Sequence, residues 1–170
     1  MTERFTFFWR GTSPFSQWHM APFTIDGVTY NCAEQFMMAG KARLFADGKT
    51  EQRILAAARP ADQKSLGRAV RPFDPAVWNE NARRIVYHGN EAKFTQNAAL
   101  LGALMSTRGT TLVEASPTDR IWGIGLTAED RRAQNRATWR GQNWLGEVLT
   151  ALRDDLVARG VGDTSRSRTG

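Results

Sequence analysis

The sequence is poor in the residues that build disulfides and metal sites. Its 170 residues include one cysteine and two histidines. A single cysteine excludes an internal disulfide framework and indicates a reducing compartment. So few thiol and imidazole groups, scattered along the chain, argue against a zinc site. We therefore expect no metal and no cofactor.

Long hydrophobic runs are missing as well. No segment approaches the roughly 18 consecutive apolar residues of a membrane-spanning helix. The apolar run near the start of the chain is too short for a secretory signal. These features predict a cytoplasmic protein with no membrane partner, and they leave its oligomeric state open.

The charge balance favours anionic partners. Lysine and arginine exceed aspartate and glutamate by six, which suits phosphates or nucleic acid. Three of the arginines lie in a small, polar C-terminal tail, so a merely soluble basic protein is an equally good interpretation. The composition predicts one domain over residues 1–158 and a disordered tail over 159–170.

Hydrophobic periodicity predicts an α+β fold, a mostly helical single domain with a small β-sheet. Strands are expected at 5–9 and 111–116, and Asp26-Gly27 is the favoured turn of a hairpin over 23–30. Asn31 is the expected N-cap of the next helix, and Gly89-Asn90 is a candidate break in a long one. Further helices are predicted at 50–58, 60–70, 74–94 and 96–106. A final helix has one apolar face, formed by Leu145, Val148, Leu149, Leu152 and Leu156.

An acid and an amine stand in line on the apolar helix that follows Asn31. Glu34 and Lys41 are seven residues apart, and two helical turns bring both to nearly the same face. Glu34 also fits a capping box with Asn31, and Lys41 fits a surface lysine with its stem on apolar neighbours. If the two share a cleft, each shifts the pKa of the other, and the lysine is a candidate nucleophile or charge clamp.

The loop before the hairpin combines aromatic rings with small polar groups. A core cluster is the default interpretation of the rings. Such a loop can also clamp a flat heterocycle by stacking while hydroxyls hold a sugar or phosphate. The candidate substrate-binding residues here are Trp9, Ser13, Phe15, Ser16, Gln17 and Trp18.

A second polar segment, ASPTDRIWGIG at 115–125, carries another carboxylate. Asp119 fits a turn initiator, but a carboxylate opposite Glu34 would also suit hydrolysis at an anomeric carbon. Trp122 and Gly123 follow it as candidate binding residues. Lys93 and Asn143 are candidate contacts to an anion or sugar, although a solvated-surface or capping role is at least as well supported.

These segments together resemble the NADAR family, including its YbiA-like N-glycosidases. The resemblance rests on FSQWHMAPFTIDGVTYNCAEQFMMAGKARLF, LVEASPTDRIWGIG and GQNWLGEVLTALRDDL, and it spans about residues 5–156. It implies a compact α+β fold and cleavage of N-glycosidic bonds. By matching position, Glu34, Lys41 and Asp119 are the catalytic candidates, with Trp122, Gly123 and Asn143 beside them. Gln17 and Gly40 depart from the family pattern, where asparagine and a larger, often acidic residue are common.

The resemblance implies three alternative functions. The first is an N-glycosidase for phosphorylated ribosyl heterocycles, such as riboflavin-pathway ribosylamino-pyrimidine phosphates. The second is a hydrolase that removes ADP-ribose from guanine in DNA, for which a basic rim is expected at Arg131, Arg132, Arg136 and Arg140. The third is a non-catalytic module that binds ADP-ribose or another nucleotide.

Overall fold

The computed structural model describes residues 2–163, which form two compact units. One unit is Arg10–Asn97, and the other combines the segments before and after it. In chain order the strands are β1 (Phe5–Phe8), β2 (Met20–Ile25), β3 (Val28–Cys32) and β4 (Thr111–Glu114). The helices are α1 (Ala33–Leu44), α2 (Gly48–Ala56), α3 (Pro60–Arg68), α4 (Pro75–Thr95), α5 (Ala98–Met105) and α6 (Trp144–Ala158).

The Arg10–Asn97 unit begins with the predicted hairpin. Strands β2 and β3 pair antiparallel, with an irregularity between Met20 and Phe23. Asp26 and Gly27 form the turn with positive φ values of 50° and 79°. Both central residues of a type I′ turn need such values, and this turn matches the twist of paired strands. The hairpin therefore forms where the local sequence predicts it.

The N-cap of helix α1 lies one residue after the expected one, Asn31. Its N-cap is Cys32, whose side chain makes no capping hydrogen bond. Gln35 performs the predicted function of Glu34, because its Oε1 accepts a hydrogen bond from the backbone N–H of Asn31 at 2.8 Å. The Gln35 amide also donates to the carbonyl of Ile54 at 3.1 Å. The prediction of a cap at Asn31 is therefore wrong, and Glu34 is not the residue that closes the box.

Two glycines let neighbouring helices approach α1. A Cβ on Gly67 of α3 would overlap the Met38 sulfur, and one on Gly89 of α4 would lie 2.5 Å from the Phe36 ring. Helix α4 runs unbroken past Gly89, so the candidate break there is not observed. Gly89 is instead a close-packing position, where a larger side chain would push the helices apart.

Cys32 is sealed inside this unit. It is 0 % exposed, and its thiol donates a hydrogen bond to Gln63 Oε1 at 3.1 Å. Burial raises the pKa of the Cys32 thiol to about 11. The thiol is therefore held in its neutral, unreactive form at neutral pH.

The second unit is built on a parallel strand pair. β1 pairs with β4, from Phe5 with Thr111 through Phe8 with Glu114. Helix α6 packs on β4, and its five predicted apolar positions are all buried. The arginine-rich segment forms two short 3₁₀ helices, Arg131–Gln134 and Arg136–Thr138.

The predicted fold class is confirmed: six α-helices accompany small sheets within the described residues. The sheets are two separate pairs of strands rather than one. Within α4, Ile85 and Val86 are buried, whereas Val77 and Trp78 are only partly buried. The domain boundary at residue 158 stays a prediction. Residues 164–170 of the predicted tail lie outside the described residues.

Candidate functional site

Glu34 occupies a buried position in the first turn of α1. Its side chain belongs to a residue only 5 % exposed, and its backbone N–H donates to the carbonyl of Gln17 at 2.9 Å. This bond joins the start of the helix to the loop before β2. A carboxylate in a first turn is stabilised by the helix dipole. Burial also strengthens the interaction of such a group with nearby charge.

Lys41 lies two turns further along α1 among aromatic rings. Its ammonium is 4.5 Å from the centre of the Phe73 ring and 5.5 Å from that of Trp78. Desolvation lowers the pKa of Lys41, and the charges of Arg71 and Arg68 lower it further, while Glu34 opposes these effects. Burial and neighbouring cations are the conditions that make a lysine amine nucleophilic.

The environment of Lys41 includes residues that sequence reasoning missed. Arg68 ends α3, and Arg71, Phe73 and Trp78 follow in the link to α4 and in its first turn. The two arginines lie three residues apart and the two rings five apart. This local clustering of cations and aromatics was the available signal. Their convergence on Lys41 depends on the packing of α3 and α4 against α1.

The hydroxyls of the loop at 11–19 are used within the loop itself. Ser13 Oγ accepts the backbone N–H of Phe15 at 3.3 Å, and Ser16 Oγ accepts that of Trp18 at 3.1 Å. The Phe15 ring is buried and stacks on Phe94, with ring centres 6.3 Å apart. We therefore interpret Phe15 as core, in place of the predicted ligand contact. Trp18 is exposed, and stays a candidate stacking platform.

Gln17 makes its polar contacts within the protein. Its Oε1 accepts a hydrogen bond from Asn90 Nδ2 at 2.8 Å, and its Nε2 points at the Met37 sulfur at 3.7 Å. The same Asn90 amide group donates to the carbonyl of Val86 at 2.8 Å. This departure from the family pattern therefore holds the loop against α1 and α4.

Lys93 is completely buried, contrary to the expected surface position. Its Nζ donates to the carbonyl of Ser16 at 3.0 Å, and the residue is 0 % exposed. Desolvation lowers the pKa of Lys93 to about 7. Lys93 therefore fixes the loop carrying Gln17 and Trp18, and its contact with a substrate stays a prediction.

In the second unit, Asp119 organises a turn. Its Oδ1 accepts the backbone N–H groups of Ile121 at 2.9 Å and Trp122 at 2.8 Å. A Cβ on Gly123 would lie 2.9 Å from the carbonyl oxygen of Glu114, so only glycine fits against β4 there. The Trp122 ring meets Trp144 edge-on at 5.5 Å. Catalysis by Asp119 and binding by Trp122 and Gly123 stay predictions.

Asn143 has a structural role. It is 0 % exposed and has a positive φ of 53°. Its Oδ1 accepts from the Glu114 N–H at 3.0 Å, and its Nδ2 donates to the Leu112 carbonyl at 3.0 Å. Because both ends of the amide bind the backbone of β4, we interpret Asn143 as a positioning residue. Trp9, the remaining candidate, is 39 % exposed at the end of β1, and its binding role stays a prediction.

Two of the four arginines expected to form a basic rim are neutralised. Arg132 pairs with Asp130 at 2.6 Å. Arg136 pairs with Glu3 at 2.5 Å and also contacts Glu147. Their charges stabilise the 3₁₀ segment and its neighbours, which leaves less net positive charge for a polyanion.

Other site types find no support in the described part of the chain. Within residues 2–163 no group of three or more His, Cys, Asp or Glu side chains is arranged to hold a metal ion. No helix over the same residues has the length and apolar character needed to cross a membrane.

Comparison with known proteins identifies the family. The model of the NADAR domain matches residues 7–157. The chain belongs to the NADAR family. N-glycosidase R617 of Acanthamoeba polyphaga mimivirus is 40 % identical over 165 residues, which cover 91 % of this chain and 97 % of that protein. The NMR structure of the E. coli protein YbiA superposes with a TM-score of 0.76 at 26 % identity, covering 94 % of this chain and 89 % of that one.

A plant relative matches only in part. Riboflavin biosynthesis protein PYRR of Arabidopsis thaliana is 30 % identical over 122 residues, which are 69 % of this chain and 18 % of that protein. Membership in a family with N-glycosidase relatives confirms the predicted enzyme class, a hydrolase acting on N-glycosyl bonds.

Proposed function

We propose that this NADAR protein cleaves the bond between a phosphorylated ribose and a nitrogen heterocycle. The observation that carries the proposal is the α1 pair: a buried carboxylate at Glu34 and, two turns on, the half-buried amine of Lys41. Cleavage of a ribose–nitrogen bond develops positive charge at C1′. A carboxylate held in a desolvated position stabilises that charge, and its effect is larger than it would be in water.

Glu34 is the residue to which we assign stabilisation of C1′. The Glu34 N–H donates to the carbonyl of Gln17, which holds the loop of Gln17 and Trp18 next to Glu34. A hydrogen bond from Lys93 to Ser16 fixes the same loop. The exposed Trp18 ring offers a flat face for the leaving heterocycle. Asp119 is retained as a second catalytic carboxylate on the strength of its motif match alone.

Two routes complete the reaction. In one, water adds to C1′ with a carboxylate as the base, and the heterocycle leaves with a proton. In the other, the neutral Lys41 amine attacks C1′ and gives up a proton, the heterocycle leaves with a proton, and water then releases the sugar and restores the amine. The lowered pKa of Lys41 favours the second route, because it increases the fraction of neutral amine at neutral pH.

Trapping distinguishes these routes. Borohydride added during turnover reduces an imine between the opened sugar and Lys41, and mass spectrometry then locates a stable adduct on α1. We expect that adduct in the wild type and none in Lys41→Arg, whose guanidinium forms no imine. Absence of any adduct in the wild type during measurable turnover assigns the reaction to water.

The substrate we favour is a ribosylamino-pyrimidine phosphate of the riboflavin pathway. The similarity of 122 residues to a riboflavin biosynthesis protein supports it, as does the group of cations around Lys41. Removal of ADP-ribose from DNA is less well supported, since Arg132 and Arg136 are already paired with acids. A non-catalytic nucleotide-binding module is the remaining alternative.

A release assay tests the proposal. Purified protein is given ribosylamino-pyrimidine phosphates, nucleoside monophosphates and ADP-ribosylated DNA oligonucleotides, and the free base is measured by chromatography. We expect release from the pyrimidine phosphates and its loss in Glu34→Gln. Glu80→Gln, on the exposed face of α4, is the matched control and should retain activity. Release from the DNA substrate alone, or binding without release from any substrate, contradicts the proposal.

A further inference from the structure

Lys41, Arg68 and Arg71 lie near one another beside helix α1. Within residues 2–163, several other arginines form ion pairs with acids, among them Arg43, Arg59, Arg132, Arg136 and Arg153. Lys41, Arg68 and Arg71 form none in that part of the chain. Yet they lie close enough for the two guanidinium charges to lower the pKa of the Lys41 amine. Like charges around a desolvated amine repel one another. Glu34 offsets this repulsion in part, and a bound anion relieves it further.

Asp47, the N-cap of α2, is occupied by backbone groups. Asp47 accepts the backbone N–H of Thr50 through Oδ1 at 3.1 Å and that of Arg71 through Oδ2 at 3.0 Å. These bonds cap α2 and fix the backbone of Arg71. The carboxylate of Asp47 therefore holds Arg71 in place through its main chain, while the guanidinium remains available.

The guanidinium of Arg71 is itself oriented. Its Nη1 donates to the carbonyls of Arg68 at 3.1 Å and Val70 at 2.7 Å, at the end of α3. In the described part of the chain, its Nε and Nη2 make no hydrogen bond. A guanidinium anchored through one nitrogen presents its other donors in the fixed geometry that matches phosphate oxygens.

Aromatic rings lie on the other side of the Lys41 amine. Phe73 is 38 % exposed and packs edge-on against Phe45, with ring centres 5.3 Å apart. Together with Trp78 it excludes water from one side of the Lys41 amine. Partial exclusion of water strengthens the attraction between cations and a bound anion.

We propose that Arg68 and Arg71, beside Lys41, form an anion subsite that takes the terminal phosphomonoester of the substrate. The inference rests on the proposed function, because it places the phosphate of a ribosyl substrate beside Glu34 and Lys41, the two catalytic candidates on α1. A terminal phosphate carries close to two negative charges at neutral pH and three acceptor oxygens. It therefore suits the two guanidinium groups better than a backbone phosphodiester, which carries a single charge.

Binding measurements test this subsite without requiring turnover. Calorimetric titrations of the full chain compare ribose 5-phosphate with ribose. We expect the wild type to prefer ribose 5-phosphate by at least about tenfold, and Arg68→Gln/Arg71→Gln to weaken its binding about 10–100-fold while leaving ribose unaffected. Arg53→Gln/Arg59→Gln removes the same net charge from exposed positions and should bind ribose 5-phosphate as the wild type does.

A third arm separates the two sources of phosphate. A short single-stranded oligonucleotide without a 5′-phosphate offers only phosphodiesters. Arginine-dependent binding of this oligonucleotide in place of ribose 5-phosphate overturns the commitment to a monoester. Equal loss of ribose 5-phosphate binding in both double variants overturns the subsite, because the effect is then one of net charge. Circular dichroism establishes that each variant is folded.

The two proposals fail in different ways. If no ribosylated heterocycle is cleaved but ribose 5-phosphate binding depends on Arg68 and Arg71, the subsite stands and the proposed function falls. If heterocycles are released and the KM for phosphorylated substrates is the same in Arg68→Gln/Arg71→Gln as in the wild type, the subsite falls alone. The subsite predicts a raised KM for phosphorylated substrates and an unchanged KM for dephosphorylated ones.

Discussion

The two segments that carry the family motifs use their polar residues in different ways. In the second unit, Asp119 and Asn143 direct their side chains to backbone groups of turns and of β4. On α1, the Lys41 amine lies against aromatic rings and near two arginines, and the Glu34 side chain is buried.

This difference distinguishes residues that stabilise the fold from residues that are available for catalysis. A side chain whose hydrogen-bonding capacity is filled by the main chain is explained by the fold, and its loss should appear as instability. A desolvated amine such as that of Lys41 costs stability in the folded protein, and such costs concentrate at functional sites. Motif membership alone does not distinguish these two cases.

Glu34→Gln tests the chemical side of the comparison most strongly. We expect kcat for base release to fall about 1,000-fold, as when a preorganised electrostatic group is removed from an active site. The melting temperature should stay within a few degrees of the wild-type value or rise, since a buried charge is removed. Retention of kcat in a folded variant would remove Glu34 from the mechanism.

Asn143→Ala tests the architectural side. The change leaves the Glu114 N–H and the Leu112 carbonyl without their partners and puts alanine at a positive φ. We expect the free energy of unfolding, measured in urea, to fall by about 3 kcal/mol. Gln142→Ala, at the exposed neighbouring position, should change it by less than about 0.5 kcal/mol. Comparable stability of the two variants would contradict the structural role.

Asp119 forms a turn and is also a catalytic candidate, and two substitutions test these roles separately. Asparagine keeps an Oδ1 acceptor for the N–H groups of Ile121 and Trp122 but removes the charge. We expect Asp119→Asn to fold normally and to lose about 100-fold in kcat, while Asp119→Ala also loses about 1 kcal/mol of stability. Full activity of Asp119→Asn would make the residue a turn former only.

Lys93 supplies a pH test with a smaller effect. The unfolded chain binds a proton at Lys93 up to about its usual pKa of 10.5, whereas the folded chain releases it near pH 7. The unfolded state therefore binds more protons between these values, and stability rises with pH across that window. We expect the wild type to gain up to about 1 kcal/mol per pH unit relative to Lys93→Met.

Urea unfolding of the two proteins from pH 6 to 9 measures this difference. Only the slope against pH is compared, because Lys93→Met also loses the hydrogen bond to Ser16. Parallel curves for the two proteins would mean that Lys93 keeps its proton when buried.

Much of the local structure follows from sequence because the signals are local. Asp26-Gly27 meets the demands of a two-residue turn, and Asp74-Pro75 supplies a cap and a suitable first helical residue for α4. The apolar face of α6 repeats with helical periodicity, and its burial follows from that repeat.

The remaining features depend on contacts between distant parts of the chain. Local patterns do not reveal that the Lys93 amine reaches the carbonyl of Ser16, 77 residues earlier, or that β1 pairs with β4. Neighbouring residues can also compete for the same hydrogen bond. At the start of α1 the Asn31 N–H donates to Gln35 and not, as the sequence predicts, to Glu34. For the site, sequence pattern identified Glu34 and Lys41 as candidates but missed Arg68 and Arg71.

The sealed thiol of Cys32 gives this protein a built-in reporter of its own opening. As the only cysteine in the sequence, fully enclosed and with a pKa raised to about 11, it reacts with an alkylating agent only when the Arg10–Asn97 unit opens. The alkylation rate in dilute reagent then measures how often this unit opens, and no added label is needed. Ligands that hold this unit closed should slow the rate in proportion to their occupancy.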